Sequence, residues 1–191
     1  RFLTEEFSLA LRSDQLHLYY QPKITLADGE VFGMEALIRW QHPREGLLTP
    51  DQFLPVIADS PLEITLGEWV INAVLAQHQG WREAGLDLAV SVNISPRQVQ
   101  MQDFATFLAR TLAAYPAGTA EKLEIEVLEV SKLDSPLDAA RVMNACKALG
   151  IHFSLDDFGT GYSSLTYFHQ LPFDLVKIDR HFIQAMIEKA E

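Results

Sequence analysis

Apolar and polar positions alternate along this chain with two periods, and the switches between them lay out the elements. Runs of strand character fall at Leu16–Leu26, Val31–Trp40, Leu88–Ile94, Leu123–Leu128, Ile151–Leu155 and Leu175–Ile178, which predicts six strands. Helical spacing covers Phe2–Arg12, the long Leu66–Ala84, about Phe104–Ala114, Leu137–Leu149 and His181–Glu191. Shorter helices are expected after Thr49-Pro50-Asp51 and near Ser164–Gln170. Pro50 suits a first helical turn, and Gly85 and Gly150 suit the positions just past helix ends. Ala27-Asp28-Gly29 makes a hairpin-like link between the first two strands. After it, strands and helices alternate, as parallel strands joined by helical crossovers do. The pattern predicts an α/β fold with barrel-like order.

The balance of residues narrows the class. Of 191 residues, 48% are apolar and 21% charged, which fits a folded globular chain and excludes a disordered one. The net charge of −11 argues against a nucleic acid polymer as partner. A small phosphorylated ligand remains compatible, because divalent cations would reverse the local field. Cys146 is the only cysteine, so no intrachain disulfide forms and a reducing compartment suits the chain. The sequence holds neither a signal peptide nor an apolar run of membrane-spanning length. We expect a cytoplasmic location, including that of a cytoplasmic part of a membrane-anchored signalling protein.

Chemistry concentrates where strands end. Asp156 and Asp157 close the apolar run Ile151, Phe153, Leu155, and Gly159 and Gly161 follow in a loop. Unpaired buried charge costs several kcal/mol, so such a pair calls for a metal ion, a basic partner or water. Alternation puts Glu35, Leu37 and Arg39 on one face of their strand, and Ser91, Asn93 and Ser95 on one face of theirs. Glu124 with Glu126, Ser154 with Asp156, and Lys177 with Asp179 share faces in the same way. In an α/β barrel these strand ends converge on the catalytic mouth. Glu35, Asn93, Glu126 and Asp156 make an all-oxygen set suited to Mg²⁺ or Mn²⁺, and Asp157 is placed to help hold a second ion.

Each of these residues has a plainer reading when taken singly. Asp156-Asp157 reads equally as a helix cap or turn, Glu35 and Arg39 as an ion pair, Glu124 and Glu126 as solvent-facing, and Lys177 as a surface lysine. The six histidines show no metal-ligand spacing and read as structural or surface groups. Cys146 falls at helical spacing with Val142, Met143 and Leu149 and reads as core. The stripe Trp69, Val70, Ala73, Val74 and Trp81 reads as a packing face.

Taken in order, the residues resemble the EAL domain family of bacterial cyclic di-GMP phosphodiesterases. The naming motif stands as Glu35-Ala36-Leu37-Ile38-Arg39-Trp40, preceded by Tyr20-Gln21-Pro22. Asn93-Ile94-Ser95, Glu126, the run Asp156-Asp157-Phe158-Gly159-Thr160-Gly161-Tyr162-Ser163-Ser164-Leu165 and Lys177-Ile178-Asp179 follow. The tripeptide alone is trivial, but the ordered set is specific and covers essentially the whole chain.

The resemblance implies a (β/α)8 TIM-like barrel with an antiparallel first strand. A closed barrel takes about 250 residues, so the last two βα units are expected to be missing and residues 1–191 to form a single, C-terminally incomplete EAL domain. It implies Glu35, Asn93, Glu126 and Asp156 as ligands of one ion, Asp157 as a ligand of a second, and Lys177 and Glu35 in catalysis. Gln21, Leu37 and Arg39 look like substrate contacts, with Arg39 near a phosphate. Glu129 is similar to the family glutamate that anchors the loop from Phe158 to Ser164. The implied reaction is metal-dependent hydrolysis of one phosphodiester bond of cyclic di-GMP, giving linear 5′-pGpG. Implied partners are a second copy, through the loop after Asp157, and sensory or GGDEF domains in a longer parent. Two departures stand out. Leu128 replaces the usual threonine, and a later family strand ending in glutamate has no counterpart here. A receptor that binds cyclic di-GMP without turnover is the rival function, and a pure interaction module is a third.

Overall fold

Trp40 organises the first part of the chain, and the reason is its place on a strand face that runs Phe32, Met34, Ala36, Ile38 and Trp40. The structure is a computed structural model. It describes residues 2–127, 133–158, 170–179, 181, 183 and 184, with the side chains of Phe2, Asp157 and Phe158 outside that description. The chain divides into two compact units, residues 1–92 and 93–191. Together their pairings define an α/β fold with mostly parallel strand pairs.

The first unit holds α1 (Phe2–Ala10), β1 (Leu16–Ile24), β2 (Val31–His42), β3 (Gly46–Leu48), α2 (Pro50–Ile57), α3 (Pro61–Glu83) and most of β4 (Ala89–Ile94). As expected, β1 runs antiparallel to β2, and β4 then pairs with β2 in parallel through Gly33–Ala36 and Ala89–Val92. A Cβ on Gly33 would stand 3.1 Å from the Ala89 carbonyl oxygen, so glycine permits this close strand approach. In the turn between β1 and β2, Gly29 has φ +75°. There the Thr25 hydroxyl and the Glu30 N–H both donate to the Asp28 carboxylate and hold its pKa below the ordinary range.

The core of this unit is aromatic. Phe7 of α1 meets the Trp40 ring edge-on at 5.2 Å and stacks on Phe53 of α2 at 5.4 Å. The buried His42 accepts from the backbone N–H groups of Arg44 and Glu45 at Nδ1, and its Nε2 faces Glu6 at 3.4 Å. A structural role for this histidine agrees with its lack of metal-ligand spacing.

Two expectations need correction here. No strand is expected between Trp40 and the helix after Thr49, yet Gly46–Leu48 forms a short strand paired antiparallel with the end of β2, which extends to His42 and not only to Trp40. The long helix begins at Pro61, not Leu66. Ser60 caps it, its hydroxyl accepting from the Leu62 N–H, and Pro61 sits in the first turn. Its buried face is Leu66, Val70, Ile71, Val74, Leu75 and His78.

The second unit takes the end of β4, then α4 (Phe104–Leu112), β5 (Leu123–Val127), α5 (Pro136–Lys147), β6 (His152–Phe158) and β7 (Leu175–Ile178). A three-residue 3-10 turn at Gln98–Gln100 follows β4. β6 lies between β5 and β7 and pairs with each in parallel. Its predicted end at Leu155 is too early, because pairing continues to Phe158 across a register irregularity that spans both aspartates. The opposite face of β5 and β6 supplies Leu123, Ile125, Val127, Phe153 and Leu155 to the core, together with Met143 and the fully buried Cys146 of α5. Burial pushes the Cys146 thiol up to about 12. Among the elements expected from sequence, all but Gln170 of the helix near Ser164–Gln170 and most of the helix from His181 lie outside the described residues.

One clamp fixes where β7 starts. The Phe153 N–H donates to Asp174 Oδ2 at 2.9 Å, and the Asp174 N–H returns a bond to the Phe153 carbonyl at 2.8 Å. Lys147 of α5 adds its ammonium, 2.5 Å from Asp174 Oδ1 and 3.1 Å from the Pro172 carbonyl. Partial burial opposes ionisation of Asp174. The Lys147 and Phe153 hydrogen bonds, with the charges of Lys147 and His152, outweigh it and leave the pKa lowered.

Candidate metal centre and ligand-binding face

In the second unit the strand order carries the chemistry. Glu126 is next to last on β5, Asp156 lies on β6 and Lys177 is next to last on β7. The Lys177 ammonium donates to Glu126 Oε2 at 2.6 Å and to Asp156 Oδ2 at 3.1 Å. The Glu126 side chain is fully buried, with 0% exposure, while Asp156 and Lys177 keep 17% and 29%. These are charge-assisted bonds, and the burial of Glu126 strengthens them. A surface role for Glu126, or for Lys177 as a solvated lysine, is therefore excluded.

One layer deeper on the same face, the Ser154 hydroxyl donates to Glu124 Oε1 at 2.8 Å, and both residues are buried. The solvent-facing reading of Glu124 fails with that of Glu126. Sequence reasoning put Glu124 on the correct face and missed its partner.

Whether a divalent cation fits can be judged from the donor set. Carboxylate oxygens of Glu126 and Asp156 come within 4.8 Å of one another. With both ionised and Lys177 protonated, this trio carries a residual charge of −1. No sulfur or imidazole takes part, so the chemistry suits a hard, oxygen-seeking ion. The residues present fit Mg²⁺ or Mn²⁺. Asn93 stands half-buried at the penultimate position of β4. The irregularity in β6 falls at Asp156 and Asp157, the kind of local break that re-aims side chains beside active sites. The Asp157 side chain, Leu128, Glu129 and residues 159–169 lie outside the described residues.

The first unit offers a distinct face. Cross-strand register sets Gln21 opposite Glu35, Tyr19 opposite Leu37 and His17 opposite Arg39. These six residues share one side of the β1–β2 ribbon. The other side is the one that helices cover: Tyr20 meets Trp81 of α3 at 4.7 Å, and Trp40 meets Phe7 and Phe53. Desolvation there raises the Tyr20 hydroxyl to about 12. On the polar side, the Arg39 guanidinium carbon lies 5.7 Å from the Tyr19 ring centroid, and Nη1 donates to the Ile38 carbonyl at 2.8 Å. Gln21, Glu35, Leu37 and Arg39, all singled out from sequence, thus share a face. Tyr19 was not singled out, although its two-residue spacing from Gln21 could have found it.

Residues 4–191 match the family described as the EAL domain, and the chain belongs to that family. It is 41% identical over 175 residues to a protein of Escherichia coli named cyclic di-GMP phosphodiesterase PdeR, covering 92% of this chain and 26% of that protein. It is 35% identical over 190 residues to a Pseudomonas aeruginosa protein named bifunctional diguanylate cyclase/cyclic di-GMP phosphodiesterase MucR, covering 99% of this chain and 28% of that protein. The chain thus spans about a quarter of the length of these curated relatives. Its fold is similar to a solved structure described as the PaMucR phosphodiesterase in complex with c-di-GMP. That likeness has a TM-score of 0.87 and 36% identity, over 98% of this chain and 76% of that one. No helix among the described residues is long and apolar enough to cross a membrane.

Proposed function

We propose that this chain is a metal-dependent phosphodiesterase that hydrolyses cyclic di-GMP to linear 5′-pGpG. The observation that carries the reading is the Lys177 ammonium held between Glu126 and Asp156 at successive parallel strands, in a member of the EAL family. The names of the relatives and the c-di-GMP complex of a similar structure support the substrate.

In this reading Glu35, Asn93, Glu126 and Asp156 hold one Mg²⁺ or Mn²⁺ and Asp157 helps hold a second. When bound, the ions stabilise charge on the attacking and leaving oxygens and lower the pKa of water. Lys177 is the protein's own catalytic cation. Two carboxylates fix its ammonium by two of its three N–H groups, and the third donates to the attacking water. Water adds to phosphorus, the bond from phosphorus to one ribose 3′ oxygen breaks, and a water proton ends on that 3′ hydroxyl. Arg39 takes a phosphate oxygen with its forked guanidinium, Gln21 lines the guanine end and Leu37 packs on the ligand. Glu129 anchors the loop that follows β6.

The same reading makes residues 1–191 one EAL domain on the (β/α)8 plan of the family. It places the domain in a cytoplasmic signalling protein with sensory or GGDEF domains, dimerising through the loop after Asp157. The test is chromatography of cyclic di-GMP incubated with the chain and Mn²⁺, with and without chelator. The reading predicts 5′-pGpG that disappears with the chelator. Bound but intact cyclic di-GMP would make the chain a receptor instead.

A further inference from the structure

We propose that Tyr19 is a positioning residue for Arg39, its ring holding the guanidinium over the polar face of the β1–β2 ribbon so that it meets a phosphate without prior ordering. The inference deepens the phosphodiesterase reading and rests on it for the ligand. Tyr19 is 51% exposed although it is a large aromatic in the middle of a strand. It faces away from the side where Tyr20 and Trp40 join the helices, so packing the core does not explain it. Across the ribbon it sits diagonal to Arg39, whose direct register partner is His17. That diagonal is within reach of long side chains, and the guanidinium carbon does approach the ring centroid to 5.7 Å.

An arginine side chain left to itself carries about 2 kcal/mol of rotamer entropy. Here two contacts restrain it: the ring beside the guanidinium, and the Ile38 carbonyl, which accepts from Nη1. That carbonyl takes one of the five N–H donors of the fork. A ring with its negative face toward the cation leaves the charge intact while limiting its motion. The phosphate then binds a preorganised fork, which is where affinity is gained without any new contact to ligand.

The experiment is a double-mutant cycle read by calorimetric binding of cyclic di-GMP, with Ca²⁺, whose looser coordination orients water poorly, in place of Mn²⁺ to slow turnover. Tyr19→Leu is expected to weaken affinity roughly 3- to 10-fold, and Tyr19→Phe, which keeps the ring, to restore it to within about twofold. In the Arg39→Ala background Tyr19→Leu is expected to change nothing further, because its effect passes through Arg39. Equal losses in both backgrounds would mean that the ring contacts the ligand directly, and would overturn the proposal. An unchanged affinity in Tyr19→Leu would overturn it as well. Ring-current displacement of the Arg39 Nε–H resonance in the ligand-free protein, lost in Tyr19→Leu, reads the pair independently of any ligand. Its absence overturns the pairing. If the unaltered chain shows that displacement but binds no cyclic di-GMP, the phosphodiesterase reading fails and the role at a phosphate falls with it.

Discussion

Lys177 donates to Glu126 across an intervening strand, with 2.6 Å between Nζ and Oε2, and touches Asp156 of that middle strand on the way. Three parallel strands thus contribute one charged group each to a single small volume. Removing the cation leaves two carboxylates facing one another, one of them fully buried. Lys177→Met is expected to lower kcat by at least about 100-fold, the usual scale for removing one preorganised hydrogen-bond donor. Cyclic di-GMP binding should fall far less. Steady-state turnover beside calorimetric binding checks this, and an unaltered kcat would remove Lys177 from the chemistry.

The same variant is expected to lose stability as well. Breaking a buried pair by deleting one partner costs about 3–5 kcal/mol, so metal-free Lys177→Met should melt well below the unaltered protein. A divalent ion would compensate the carboxylates, so Mn²⁺ should raise the Tm of the variant more than that of the parent. Thermal melts with and without Mn²⁺ decide it. Equal gains would speak against Glu126 and Asp156 as ligands.

Arg39→Ala is expected to weaken cyclic di-GMP binding by about 10- to 100-fold, the loss of a charged hydrogen-bonding group. Tm should hardly move, because the guanidinium stands on the polar side of the ribbon, away from the Phe7–Trp40–Phe53 core. An unchanged dissociation constant would refute its phosphate role.

Asp174 ties β7 to β6 and α5, and its lowered pKa gives that tie a pH signature. A carboxyl whose folded pKa lies below its unfolded value adds stability that is complete above the unfolded value. That stability is lost as pH falls through the folded one. The unfolded value is about 3.9. Asp174→Asn should therefore cost about 1–2 kcal/mol at pH 7, with the gap closing as pH falls below about 4. Denaturant melts across this range check it, and a gap independent of pH would contradict the linkage.

Cys146 has no exposed surface, and its thiol is raised to about 12. A buried, protonated thiol is a poor nucleophile. A thiol reagent at pH 8 should leave the native protein unmodified and label one thiol per chain in denaturant. Rapid labelling of the folded protein would place Cys146 outside the core.

The candidate site was legible in sequence for a simple reason. Strand alternation has a period of two, so Glu35 with Arg39 and Glu124 with Glu126 fall on common faces without knowledge of tertiary contacts. Partnership was not legible. Glu124 finds Ser154 thirty residues away, and no local signal distinguishes that buried pair from two solvated groups. The strand Gly46–Leu48 is too short to show alternation and exists because β2 runs on to His42 and offers it an edge. The first turn of α3 escaped because Ile64 and Thr65 are β-branched. The Ser60 cap and Pro61 outweigh them. The Asp156-Asp157 pair was read as a strand end, whereas pairing to β7 resumes beyond it at Phe158.

Glu126→Ala tests most directly whether Glu126 and its neighbours make this EAL domain a metal-dependent enzyme. The measurement is release of 5′-pGpG from cyclic di-GMP in Mn²⁺ by the unaltered chain and by the variant, with ligand binding recorded on the same samples. Product is expected from the unaltered chain and none above background from the variant, with cyclic di-GMP still bound. Equal product from both would contradict that role for Glu126.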